Sequence, residues 1–182
     1  MGRNVKNISK SNLWRVDLLM IFVMLGTQNN PFQRLLEEID NLIDKKQIQE
    51  EVIVQAGYTK YEPKNEKMKI IDFMPKEEID KFEQKANFII THGGVGSIIT
   101  SLEKKKKVIA VPRLHEYGEH VNNHQIEIVE KFNKSGNIIG LQSVEELEGA
   151  IKKVQEFEPN PYKENNQKLL KIVENFIDNI KS

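Results

Sequence analysis

Two short segments hold most of the side chains that could do chemistry. The first is Thr91-His92-Gly93-Gly94-Val95-Gly96-Ser97, set between an apolar burst and a helix-like stretch. Glycines let a backbone approach an anion closely, and the unpaired N–H groups of a first helical turn can hold phosphate oxygens. Ser97 adds a hydroxyl, and His92 is a titratable group. The spacing is neither the Gly-x-Gly-x-x-Gly dinucleotide fingerprint nor a Walker loop, since no Gly-Lys-Ser/Thr follows. The competing reading is a glycine turn that only fits helix against sheet.

The second segment runs from Pro112 through Arg113 and His115 to Glu119-His120-Val121-Asn122-Asn123-His124-Gln125, and it carries three of the four histidines. His120 and His124 are spaced to share one helix face, behind Glu119. This is not His-Glu-x-x-His, and no third acidic ligand stands at a matching offset, so no metal is expected. A polar rim facing a ligand fits better, with Asn123 and Gln125 as hydrogen-bonding groups; a structural helix start is the alternative. A weaker third candidate is Gly26-Thr27-Gln28-Asn29-Asn30, where an ordinary strand-to-helix turn is the competing reading.

The chain has no Asp-x-Asp pair, so a divalent ion on paired carboxylates lacks its usual ligands. A departing diphosphate would be neutralised by backbone N–H groups, a helix dipole, and Arg113 or a histidine. His92, His120 and Glu119 are the candidate catalytic groups for proton transfer from an incoming hydroxyl. The run Lys104-Lys105-Lys106-Lys107 reads as a solvated helix end; without interleaved aromatics it is no nucleic-acid platform. The absence of Cys excludes disulfides, a thiolate nucleophile and a Cys-bearing zinc site. Lys plus Arg equal Asp plus Glu at 27 each, so no bulk charge attracts nucleic acid.

These segments need elements to position them. Apolar bursts at 21–25, 52–54, 68–73, 88–90, 108–111 and 137–139 read as six strands. Between them lie helical patterns. Asn30-Pro31 is placed to cap and open the first, which carries Leu35, Leu36, Ile39, Leu42 and Ile43. Pro75 opens a short acidic helix, and others are expected over about 96–103, about 119–132 and about 144–155, the last with a Ser143/Glu146 capping box. Alternation of this kind predicts an α/β fold with a mostly parallel sheet and helices on both faces. Ligands of such sheets bind at the carboxyl ends of the strands, which is where all three candidate segments lie. Residues 1–19 read as a flexible basic extension, Arg3, Lys6, Lys10 and Arg15 against Asp17, and 20–182 as one domain. Met20 is itself a candidate start. The stretch from Leu169 to Ile180 reads as an amphipathic strap helix. The apolar run 18–25 is too short to cross a bilayer.

At these residues the sequence resembles the small donor-binding subunit of bacterial two-part glycosyltransferases for exopolysaccharide and capsule synthesis. It is more distantly similar to the small subunit of the dolichol-linked N-acetylglucosaminyltransferase, within glycosyltransferase family 28. The resemblance covers about 20–180 and rests on Gly26-Thr27 after the first strand, on His92 to Ser97, and on Val111-Pro112-Arg113 followed by Tyr117 to Gln125. It implies a Rossmann-like domain equivalent to the C-terminal half of a GT-B glycosyltransferase. It implies metal-independent transfer of a sugar from a UDP-sugar to a lipid-diphosphate-linked saccharide. A membrane-associated acceptor-binding subunit would complete the site and recruit this cytoplasmic chain to the inner face of the plasma membrane. A non-catalytic activator of that partner is the alternative. The donor contacts it implies are Gly26, Thr27, His92, Gly93, Gly94, Gly96, Ser97, Thr100, Arg113, Asn123 and Gln125, with no cofactor. Two positions depart: Thr100 stands where many relatives carry a ribose-gripping Glu, with Glu103 the nearest substitute, and Gln28 where the exopolysaccharide branch often has His.

Overall fold

The computed structural model describes residues 20–162. The basic extension and the strap helix lie outside these. Six strands, β1 (Met20–Met24), β2 (Glu51–Gln55), β3 (Met68–Ile71), β4 (Phe88–Thr91), β5 (Lys107–Ala110) and β6 (Ile139–Gly140), form one sheet in the order β3-β2-β1-β4-β5-β6. Every pairing is parallel, with Met24 level with both Gln55 and Thr91, and Thr91 level with Ala110. Strands rich in Val and Ile suit this setting because both faces are covered.

Helices α1 (Gln33–Asp44) and α5 (Leu147–Val154) cover one face, packing Leu35, Leu36, Ile39, Leu147 and Ile151 on Ile21, Val23, Val52, Val54, Ile90 and Ile109. Helices α2 (Lys76–Lys85), α3 (Val95–Glu103) and α4 (His124–Lys134) cover the other, over Phe22, Ile53, Ile89, Val108 and Ala110. The strand order reverses between β1 and β4. The chain leaves β1 for α1 on one face and β4 for α3 on the opposite face, the topology in which such sheets place their ligands between the two exits.

Several local expectations are corrected. Helix α1 opens at Gln33, not at Pro31, and no side chain of its own caps it. Instead Phe32 N–H donates to Thr59 Oγ1 (3.0 Å), a cap supplied from the loop after β2. The helix expected over 119–132 begins only at His124, because Gly118 takes φ +68° and a 3₁₀ turn, His115–Tyr117, precedes it. Glu119 and His120 therefore lie in a loop, and His120 and His124 share no helix face. The sixth strand is two residues long and shifted to Ile139–Gly140. The Ser143/Glu146 capping box does not form: Val144–Glu146 is a 3₁₀ turn without a side-chain cap, and α5 follows it.

Of the lysine run only Lys105 is exposed; the other three are engaged rather than simply solvated. Lys104 pairs with Asp80 and with the buried Glu83 of α2. Lys106 Nζ donates to Gln84 O and Ala86 O, at 2.6 and 2.9 Å, where α2 ends. Lys107 Nζ donates to Gln155 O (2.7 Å), where α5 ends. Lys106 and Lys107 do serve carbonyl ends of helix dipoles, but those of neighbouring helices. Among the described residues, no helix is long and apolar enough to cross a membrane.

Candidate functional site

The turn between β4 and α3 is shaped by two glycines. Gly93 has φ +81°, and a Cβ there would lie 2.8 Å from Val129 Cγ2 of α4 and 3.8 Å from Gln125 Cβ. Glycine is thus required both by conformation and by close packing. Gly94 caps α3, and the first hydrogen bond into that helix is Ile98 N–H to Gly94 O (3.1 Å). The amides of Val95, Gly96 and Ser97 keep no backbone acceptor, as the start of any helix leaves its first N–H groups. They carry the positive end of the α3 dipole.

His92 sits beneath this turn, almost fully buried. Its Nδ1 lies 3.2 Å from Met24 O, so the neutral ring carries its proton there and leaves Nε2 as an acceptor. The ring is sandwiched between loops: a Cβ at Gly26 or at Gly94 would lie 2.8 Å from His92 Cε1. Burial, reinforced by Arg113, pushes the His92 pKa down to about 3, against the raising effect of the Met24 carbonyl. At neutral pH it is an uncharged spacer between the β1 and β4 exits.

Arg113 follows β5 and is 1% exposed, the largest fully buried side chain among the described residues. Its Nη2 donates to Leu25 O (2.8 Å), and its guanidinium carbon stands 5.8 Å from the Phe32 ring centroid. Its Nε and Nη1 have no hydrogen-bond partner although both are buried. Burial lowers its pKa to about 10, and Glu119 opposes that shift, so it stays cationic. A buried cation with two unmet donors is costly unless something fills them.

Asn123 and Gln125 direct amide oxygens to backbone. Asn123 Oδ1 accepts from His115 N–H and Gln125 Oε1 from Arg113 N–H, both at 3.0 Å. Glu119 has both oxygens engaged: Arg34 Nε and Nη2 donate to them at 2.8 and 2.9 Å, and Leu114 N–H at 3.1 Å. Arg34 also lies over the Tyr117 ring, 3.9 Å from its centroid. His120 Nδ1 stands 3.0 Å from Asn122 O, and burial lowers its pKa. The charge of Arg113 lowers the pKa of both His92 and His120, His120 adds to the lowering at His92, and a Cβ at Gly93 would lie 3.4 Å from Pro112 Cα. The segments after β4 and β5 therefore form one cluster.

Gly26, with φ +72°, and Thr27 border this cluster from β1. Thr100 lies farther down α3, exposed, its hydroxyl donating to Ser97 O (3.3 Å) and Glu83 Oε1 (3.4 Å). Glu103 is exposed at the far end of α3 and does not replace a carboxylate at position 100. Sequence reasoning missed Arg34 and Gln55. The available signal was a polar residue closing the β-branched run Val52-Ile53-Val54 at the level of the site.

A parallel sheet with its switch point between β1 and β4, and with free amides where α3 opens, defines a doubly wound α/β domain of the kind that suits an anion. The chain belongs to glycosyltransferase family 28: the family's C-terminal domain matches residues 20–180. It is 34% identical over 85 residues to the UDP-N-acetylglucosamine transferase subunit ALG13 of Candida albicans, a stretch covering 47% of this chain and 27% of that protein. The chain thus spans about a quarter of the length of this curated relative. Among solved structures, CalG4, the calicheamicin glycosyltransferase, superposes with a TM-score of 0.58 at 15% identity, over 91% of this chain and 38% of that one. The solution structure of ALG13 superposes with a TM-score of 0.53 at 19% identity, over 85% and 94%. The expected six-stranded Rossmann-like architecture, like the C-terminal half of a GT-B glycosyltransferase, holds.

Proposed function

We propose that the chain is the donor-binding subunit of a glycosyltransferase that moves a sugar from a UDP-sugar to a lipid-diphosphate-linked saccharide, in exopolysaccharide or capsule synthesis. The carrying observation is the group of unpaired amides at Val95, Gly96 and Ser97 where α3 opens; Arg113, buried in the loop after the neighbouring β5, adds a fixed positive charge from beneath. The amides offer a diphosphate preorganised donors and Arg113 a fixed charge, without a metal, and such groups stabilise charge developing on a leaving group. In this reading Ser97 and Thr27 would face the donor, while Asn123, Gln125 and Gly93 support the loops around it. The relative's description as a UDP-N-acetylglucosamine transferase subunit supports a uridine donor and an incomplete, partner-dependent enzyme. The partner would be membrane-associated, and would bring this chain to the inner face of the membrane.

Calorimetric titration of the full chain with UDP, ADP, GDP and CDP, with magnesium and with a chelator, tests the reading. A preference for UDP that survives chelation is expected. Equal binding of all four, or none, overturns the donor assignment, and a strict magnesium requirement overturns the metal-free mechanism.

A second reading, a non-catalytic activator of the partner, is favoured by the state of the candidate bases. Glu119 is tied to Arg34 and Leu114, and His92 is buried with its pKa near 3. His120 is left as the candidate acid or base on this chain. Reconstituted with its partner, H120Q discriminates the two: loss of turnover with assembly intact supports catalysis here, and unchanged turnover supports the activator.

A further inference from the structure

Where the chain leaves β1, three successive residues are gripped by side chains from three other strands or strand exits. Met24 O faces His92 Nδ1 (3.2 Å), and Leu25 O accepts from Arg113 Nη2 (2.8 Å). Gly26 is held at both of its backbone polar groups by one side chain, Gln55. Gly26 N–H donates to Gln55 Oε1 (3.1 Å), and Gln55 Nε2 donates to Gly26 O (3.0 Å) and to Asp72 O (3.3 Å).

This arrangement follows from register. Gln55 is the last residue of β2 and stands opposite Met24, and its own carbonyl accepts from Leu25 N–H (2.9 Å). Its carboxamide therefore continues the β1–β2 pairing one residue past the end of the sheet. A primary amide can do so because it offers a donor and an acceptor side by side, as a peptide does.

Two consequences bear on the site. Gly26 N–H is used internally, so the amides of this exit without a backbone or side-chain acceptor begin at Thr27 and include Gln28 and Asn29. The Gly26 peptide is also fixed against the His92 ring, where a Cβ would lie 2.8 Å from Cε1. Gln55 is itself 3% exposed and touches no ligand from there. We propose that Gln55 is a positioning residue: its buried carboxamide sets the Gly26 peptide and, through it, holds the Thr27–Asn29 segment beside the β4–α3 turn. The effect on ligand affinity rests on the donor-site reading above; the effect on Gly26 does not.

Two variants of the full 182-residue chain test this. Q55L removes all three bonds at similar volume. Q55E keeps an acceptor for Gly26 N–H but sets a carboxylate against the carbonyls of Gly26 and Asp72, and it carries the test if Q55L does not fold. Amide hydrogen exchange and UDP affinity are read well below each variant's melting temperature. Positioning predicts exchange at Gly26 faster by about tenfold or more, with β4 and α3 unchanged, and UDP binding weaker by about tenfold. UDP affinity within twofold of the parent, at whatever melting temperature, overturns the positioning role. If the parent chain binds no UDP, the donor-site reading falls, and exchange at Gly26 alone decides whether Gln55 holds that peptide.

Discussion

His92 shows how one buried side chain can couple site architecture to pH. In the folded chain its pKa is about 3, whereas the unfolded chain leaves it at the ordinary 6.5. Between those values the unfolded state binds more protons, so stability rises with pH there. The contribution is complete above about pH 6.5 and is lost as pH falls, by up to about 1.4 kcal/mol per unit. Denaturant unfolding from pH 7 to pH 4.5 is expected to show this slope in the parent chain and a shallower one in H92Q. Equal slopes would mean that His92 is solvated and charges freely. His120 shifts in the same direction by burial and adds to the parent slope.

At the scale of the element, the β4–α3 turn separates two roles that look alike in sequence. Gly94 and Gly96 are two residues apart, yet a Cβ at Gly94 would strike the His92 ring while one at Gly96 meets nothing within 4 Å. G94A is expected to cost about 1–3 kcal/mol through overpacking and to displace the ring. G96A is expected to be neutral or to stabilise α3 by up to about 1 kcal/mol, since alanine is the better helix former. Thermal melts of the two variants decide this, and reversed signs would mean that the turn is built differently. The first five strands and the order of elements were legible because their apolar runs stand out in composition and length, whereas β6 is only two residues long. Segments whose conformation is set by distant groups were not. Nothing near Pro31 announces that Thr59 caps α1, and helical spacing from Glu119 to His124 conceals the αL break at Gly118. The candidate segments do follow β1, β4 and β5, but the partners of Glu119, 85 residues away, and of Gly26, 29 residues away, arise only once the sheet orders the strands.

At the scale of the molecule, the sheet has a half built before β4 and a half built after it, and the exits of β1 and β4 lie on their seam. Besides the β1–β4 pairing, polar bonds close that seam: Arg113 to Leu25 O, and Arg34 of α1 to Glu119 in the loop after β5. The second is bidentate, its carboxylate is 6% exposed, and it also accepts Leu114 N–H, so it fixes the loop carrying His120 relative to α1. Removing Arg34 would leave a buried carboxylate with one weak partner, whereas changing both residues would remove the charge with its counter-ion. R34M is therefore expected to destabilise by about 3–5 kcal/mol, and R34M/E119L by clearly less than the sum of the single changes. A double-mutant cycle by urea unfolding measures that coupling. Strict additivity would show that the pair does not bind the two halves together, and the seam would then rest on the β1–β4 pairing, the bonds of His92 to Met24 O and that of Arg113 to Leu25 O.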